Sequence, residues 1–163
     1  MAAAGRGRGR GRCRPAAGGS RRKTVGLAPA GDALSLQICN VADPEAVFAL
    51  PDEIMRHHHG VDGLITNAGI IQPIVTFSEL EFDVIDRMLS VNLMGTVNMV
   101  KAFLPHLQAR PSAHIINVAS MGGFIPFPGQ SMYGASKAEV KLLTEALHAE
   151  LDASKNLPFL RVL

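Results

Sequence analysis

The chain has 163 residues, with 16 Lys and Arg against 14 Asp and Glu, 47% hydrophobic residues, one Tyr and no Trp. That length suits one domain with a sizeable core. No stretch approaches the ~20 apolar residues of a membrane span, and no apolar core of a secretory signal follows Met1.

Charge divides the chain sharply. Residues 1–23 hold eight of the basic residues and no acid, whereas residues 24–163 hold eight basic and 14 acidic residues. An ordinary acidic domain therefore follows a basic tail, and the domain itself is not expected to bind nucleic acid. Residues 1–30 read as a disordered Arg/Gly/Ala-rich segment. Three origins stay open for it: an RNA-binding Arg-Gly segment, part of a transit peptide, or translation of GC-rich DNA in a wrong frame. Gly5, Gly9 and Gly11 satisfy G-x-x-x-G-x-G, but only through a two-residue repeat. With no apolar strand before it and no helical pattern after it, the run has very little weight as a phosphate loop. Cys13 and Cys39 stand in unlike contexts, which suits a reducing compartment, and a cytoplasmic location is expected.

From residue 31 to 163, strands and helices are expected to alternate. A strand is read near 33–40, and a helix over 44–57 with Asp43 as N-cap and Pro44 at its first position. A strand follows near 61–66, then a loop containing Pro73. A helix is expected over 79–90, beginning S-x-L-E, and a longer one over 91–109. A strand is read near 113–119, a Gly/Pro-rich loop over 121–130, and a long helix over 131–153. On that last helix Leu143, Leu147 and Leu151 recur every four residues as a buried stripe. NLPFLRVL reads as the start of another strand. His57, His58 and His59 are adjacent on a helix end and point apart, so no metal site is expected. Met55, Met88, Met94 and Met99 read as core fillers.

The chemistry concentrates in Ser120, Tyr133 and Lys137, spaced S-x12-Y-x3-K. Residues four apart on a helix share a face, about one turn apart. An ammonium beside a phenol favours the phenolate, which brings such a phenol toward useful proton transfer near neutrality. A Ser hydroxyl at the end of the preceding strand can hold a carbonyl or alcohol oxygen beside it. Asn67-Ala68-Gly69 follows the 61–66 strand, and Asn92-x-x-Gly95 lies in the helical region between the two strands.

Taken together, these elements over residues 31–163 resemble the short-chain dehydrogenase/reductase family in its single-domain form. The resemblance implies an α/β fold with a Rossmann-like, doubly wound parallel sheet. It implies that Tyr133 is the general acid/base for hydride transfer between NAD or NADP and a carbonyl or secondary alcohol. Lys137 would support Tyr133 and bind the nicotinamide ribose, Ser120 would orient the substrate oxygen, and Asn92 would support a proton-relay water. Asn40 and Val41 would line the adenine site, with Asn67, Ala68 and Gly69 along the adenosine half. A homo-oligomer through the 91–109 and 131–153 helices is also implied.

The family opens with a strand, a T-G-x-x-x-G-x-G turn and a helix that holds the pyrophosphate. One βαβ unit needs ~30 residues, so the expected fold is partial. It contains the family's third to sixth strands and lacks the first βαβα portion and the last strand. The 33–40 strand would then lose its neighbour, with pairing on the 61–66 strand as a rescue. Low solubility or reduced cooperativity is expected from the open edge. Three readings remain open at this stage: an NAD(P)-dependent oxidoreductase, a non-catalytic interaction module of the same fold, and an Arg-Gly nucleic-acid binder carrying a passenger domain.

Overall fold

A computed structural model describes residues 35–153 together with the short strand segments Arg14–Pro15 and Leu160–Val162. The expected tail over 1–30 lies outside the described residues except for Arg14–Pro15. Those two residues form β1, which pairs antiparallel with β2, Gln37–Ile38. Gln37–Ile38 within the 33–40 segment therefore have a neighbour, and among the described residues they do not pair with the 61–66 strand. Among the described residues the rescue pairing that the sequence left open does not form, and a two-residue ribbon stands in its place.

Asp43 caps the next helix as its sequence demands. Its Oδ1 accepts hydrogen bonds from the backbone N–H groups of Glu45 at 3.1 Å and Ala46 at 3.3 Å. The expected 44–57 helix is in fact two, α1 Pro44–Phe48 and α2 Leu50–His57. Pro51 explains the break: it has no N–H to donate to the carbonyl one turn back, and its ring crowds that turn.

β3 is Gly63–Thr66, and α3 is Phe82–Leu89. The S-x-L-E signal does not start α3. Thr76 and Glu79 instead close a capping pair around a 3-10 turn, Phe77–Glu79, with the Thr76 hydroxyl donating to Glu79 Oε2 at 2.6 Å. Ser90–Met94 then winds as a π-helical turn before α4, Gly95–Gln108. β4 is His114–Asn117, α5 is Ser131–Ala153, and β5 is Leu160–Val162.

β3, β4 and β5 form a parallel sheet in that order, with Leu64 opposite Ile115 and Thr66 opposite Asn117. Parallel neighbours need crossovers, and α4 and α5 are those crossovers. Leu64 and Ile115 point to the same face of the sheet. There they meet Val47, Leu50, Val100, Phe103, Leu107 and Leu151 in one core. α1, α2, α4 and α5 thus share one side of the sheet. On the opposite side Ile65 is 65% exposed, so among the described residues the sheet is covered on one face only.

One polar chain crosses this core. Thr66 Oγ1 donates to Asn117 Oδ1 at 2.7 Å, Asn117 Nδ2 donates to Thr144 Oγ1 at 2.9 Å, and Thr144 Oγ1 donates to the Val140 carbonyl at 2.7 Å. Asn117 and Thr144 are fully buried. Each bond is worth little net, but a buried donor left without its partner costs the whole desolvation of that group. Thr144→Val keeps the shape and removes the acceptor for Asn117. Urea unfolding of this variant is expected to show a loss of about 1–3 kcal/mol, with the m-value unchanged.

Candidate active site

The site is assembled where β4 ends and α5 begins. Ser120 caps the 3-10 turn Met121–Gly123, its Oγ accepting the N–H of Gly122 at 3.2 Å. Gly122 stands between Ser120 and the Tyr133 ring. A Cβ on it would lie 3.5 Å from Tyr133 Cε1 and 3.7 Å from Ser120 Oγ. The hydroxyl and the phenol ring therefore flank the same small residue.

Lys137 lies one helical turn beyond Tyr133 and is only 6% exposed. Its Nζ donates to the Val118 carbonyl at 2.9 Å, which aims the ammonium back toward the end of β4. Burial pushes this ammonium below the usual lysine range, because desolvation penalises the charged form. The sign for stability follows directly. The unfolded chain holds the proton more tightly, so stability rises with pH between the lowered folded value and the ordinary lysine value near ~10.4. Comparison of wild type with Lys137→Met by urea unfolding at pH 8 and pH 10 checks this. Wild type is expected to gain stability relative to the variant at the higher pH.

Asn92 sits in the π turn and is fully buried. Its Oδ1 accepts the Ile70 N–H at 2.8 Å, and its Nδ2 donates to the Ile70 carbonyl at 2.9 Å and to Ser136 Oγ at 3.0 Å. Both amide protons are thus committed to tying the loop after β3 to α5. Ser136 Oγ passes the connection on by donating to the Tyr133 carbonyl at 2.8 Å. Gly69 lies between these groups: a Cβ there would stand 3.4 Å from both Asn92 Oδ1 and Lys137 Nζ.

A second clamp was not legible as a site residue. Gln72 is 2% exposed. Its Oε1 accepts the N–H groups of Met132 at 3.0 Å and Tyr133 at 2.9 Å, and its Nε2 donates to the Gly129 carbonyl at 3.0 Å. It therefore caps the first turn of α5 from another part of the chain. The signal was present as a lone polar residue in the apolar run IIQPIV. Gln72→Leu strands two helix N–H groups. Thermal and urea unfolding are expected to show a loss of about 1–3 kcal/mol, while Gln72→Glu, which keeps an acceptor at a helix N-terminus, retains most of the stability.

The remaining expected site residues divide. Val41, Asn67 and Ala68 line a narrow cleft of about 90 Å3 with Thr66, Gly95 and Thr96. Gly95 is packed tightly there, since a Cβ would approach Val41 Cγ2 to 2.7 Å. Asn40 does not join the cleft: its Oδ1 accepts the Ala42 N–H at 3.2 Å in a local turn leading to Asp43. His58 Nε2 is 2.9 Å from Ser35 Oγ, and His57 and His59 are exposed. A cavity of about 600 Å3 lies along α5 by Phe124, Phe127, Gly134 and Ala138. It contains none of Ser120, Tyr133 or Lys137, so it is a neighbouring groove and not the chemical centre.

Comparison with known proteins identifies the family. The short chain dehydrogenase family pattern matches residues 22–159, and the chain belongs to that family. The SadH protein of Mycobacterium tuberculosis (strain ATCC 25618 / H37Rv) is 42% identical over 130 residues, which cover 79% of this chain and 47% of SadH. A short chain dehydrogenase/reductase from Burkholderia phymatum, solved in complex with NAD, superposes with a TM-score of 0.73 at 29% identity, covering 76% of this chain and 44% of that one. ElxO with NADP bound gives 0.65 at 30% identity, covering 68% and 45%. The chain spans about half the length of the curated relatives it matches.

Proposed function

We propose that this chain carries the catalytic residues of an NAD(P)-dependent oxidoreductase that interconverts a carbonyl and a secondary alcohol. The observation behind this reading is the grouping of Ser120 and Tyr133 around Gly122, with Lys137 buried one turn further along α5. In the reducing direction Ser120 holds the carbonyl oxygen, and Tyr133 gives that oxygen a proton from its hydroxyl. Lys137 supplies the positive charge beside the phenol. Asn92 and Ser136 hold the backbone positions on which both depend.

The nicotinamide cofactor supplies or accepts the hydride when bound. The described residues fit part of it. The cleft formed by Val41, Ala68, Gly95 and Thr96 is narrow and weakly polar, which suits an adenine ring, and Lys137 suits a ribose hydroxyl. A Gly-rich phosphate turn is matched only by Gly5, Gly9 and Gly11, outside the described residues. NAD and NADP are both compatible with these groups. We also assign the chain to the cytoplasm on the unlike contexts of its two cysteines. A homo-oligomer through α4 and α5 is supported by the groove on α5 and by Leu142, 67% exposed on its outer side.

A second reading rests on β3. Among the described residues β3 is an edge strand, and a groove of about 350 Å3 lies beside it, lined by Gln37, Leu50, Ile54, Leu64, Ile65 and Phe103. An open apolar edge favours association, and a non-catalytic interaction module of the same fold would use it. Titration of the purified chain with NADH and with NADPH, followed by nicotinamide fluorescence, separates the two. Saturable micromolar binding, with turnover lost by ~100-fold or more in Tyr133→Phe, is the outcome expected of the oxidoreductase. No binding up to millimolar concentration supports the module.

A further inference from the structure

Nothing in β3 equips it to end a sheet. In its parallel pair with β4, the His114 N–H donates to the Asp62 carbonyl at 3.0 Å and the Val118 N–H donates to the Thr66 carbonyl at 3.0 Å. Backbone groups alternate sides along a strand, so Asp62, Leu64 and Thr66 face β4, and the N–H and C=O groups of Gly63 and Ile65 face the other way. Among the described residues no strand pairs with that side. Natural edge strands are blunted by Lys, Pro or an inward-pointing charge. Gly63–Thr66 reads GLIT, with none of these.

The groove of about 350 Å3 beside this edge is shaped for a strand. Leu50 and Ile54 of α2 line it together with Met99 and Phe103 of α4, and no Asp, Glu, Lys or Arg does so among the described residues. Gln37, from the β2 segment, also lines it, and its Oε1 is buried with no hydrogen-bond partner. A buried acceptor without a donor is uncommon and points to a missing partner. Three needs therefore meet in one place: backbone pairing for Gly63 and Ile65, apolar side chains for the groove, and a donor near Gln37. An extended peptide supplies all three, since its backbone bonds sideways while alternate side chains point to one face. A small apolar molecule would leave Gly63 and Ile65 unpaired, and a helix has spent its backbone groups on itself. A second copy pairing edge to edge about a twofold fits less well, because it carries its own helices to the side of the sheet on which α2 already lies.

We propose that the open edge of β3 takes an extended, uncharged segment of another polypeptide as an added strand. Alternate apolar side chains of that segment seat on Leu50, Ile54, Met99 and Phe103. The site rests on the same open edge as the interaction-module reading above, and it specifies the partner of that reading.

The test is titration of the full chain with an end-blocked hexapeptide of alternating Thr and Val, read by calorimetry and by amide hydrogen exchange. Saturable binding is expected, with the Gly63 and Ile65 amides newly protected. Two methylated isomers follow, one with methyl groups on the Thr backbone nitrogens and one with them on the Val nitrogens. Only one set of nitrogens faces β3, so one isomer is expected to bind and the other to weaken by about tenfold or more. Gly63→Pro removes an outward N–H where an added Cβ would meet only the His114 carbonyl, at 3.8 Å. This variant is expected to weaken binding by a similar factor, whereas Leu142→Asp on α5 leaves it unchanged. No binding up to millimolar peptide, or equal binding of the two isomers, overturns the proposal. Protection at Gly134 and Ala138 in place of Gly63 and Ile65 also overturns it. The NADH and NADPH titration judges the module reading separately. A chain that binds both peptide and NADH upholds the strand site and removes the non-catalytic reading, and a chain that binds neither overturns the strand site and leaves that reading standing.

Discussion

The catalytic arrangement depends on how the chain leaving β3 is fastened to the start of α5. Two buried amide side chains do this. Asn92 holds both backbone groups of Ile70 and reaches Ser136, and Gln72 accepts the Met132 and Tyr133 N–H groups while donating to Gly129. The first N–H groups of any helix lack partners within it. At α5 two of them are satisfied by a residue 60 positions earlier in the sequence, through the Met132 contact. Breaking that tie leaves buried donors without acceptors, so the position of Tyr133 is held by desolvation as much as by attraction.

Everything chemical then follows by short steps. Ser120 follows β4 and caps the next turn, Gly122 separates it from the phenol ring, and Lys137 returns its ammonium to the Val118 carbonyl. The Thr66–Asn117–Thr144 chain performs the corresponding task inside the sheet, fixing α5 against β3 and β4. Buried polar groups of this kind are tolerated only when fully satisfied, and they specify one register in return. The cofactor-side residues are less completely arranged: Val41, Asn67 and Ala68 share a cleft, and Asn40 is occupied with its own turn.

The sequence revealed the parts of this scheme that are local. Tyr133 and Lys137 share a helix face by spacing alone, and the helix read over 131–153 has those bounds in the structure. Asp43 and Pro44 announced a helix start that the structure repeats. Pro51 carried the signal for a break between α1 and α2, yet the sequence was read as one helix over 44–57. Gln72, Ser136 and Thr144 were not legible because their value lies in partners 3 to 61 residues away, set by strand register and by the approach of loops. Asn92 was legible as a motif position, but its bonding to Ile70 was not. The pairing of Gln37–Ile38 with Arg14–Pro15 had no signal, since a two-residue ribbon imposes almost no pattern.

The most direct test of this account is amide hydrogen exchange of the full chain, read residue by residue by NMR with no ligand added. The Ile70, Met132 and Tyr133 amides sit outside any strand ladder or helix-internal hydrogen bond, and only Asn92 and Gln72 protect them. The account predicts that these three exchange as slowly as the amides of β4. Exchange at the rate of an exposed loop would mean that the two clamps do not hold in solution, and that Tyr133 is not fixed beside Ser120 and Lys137.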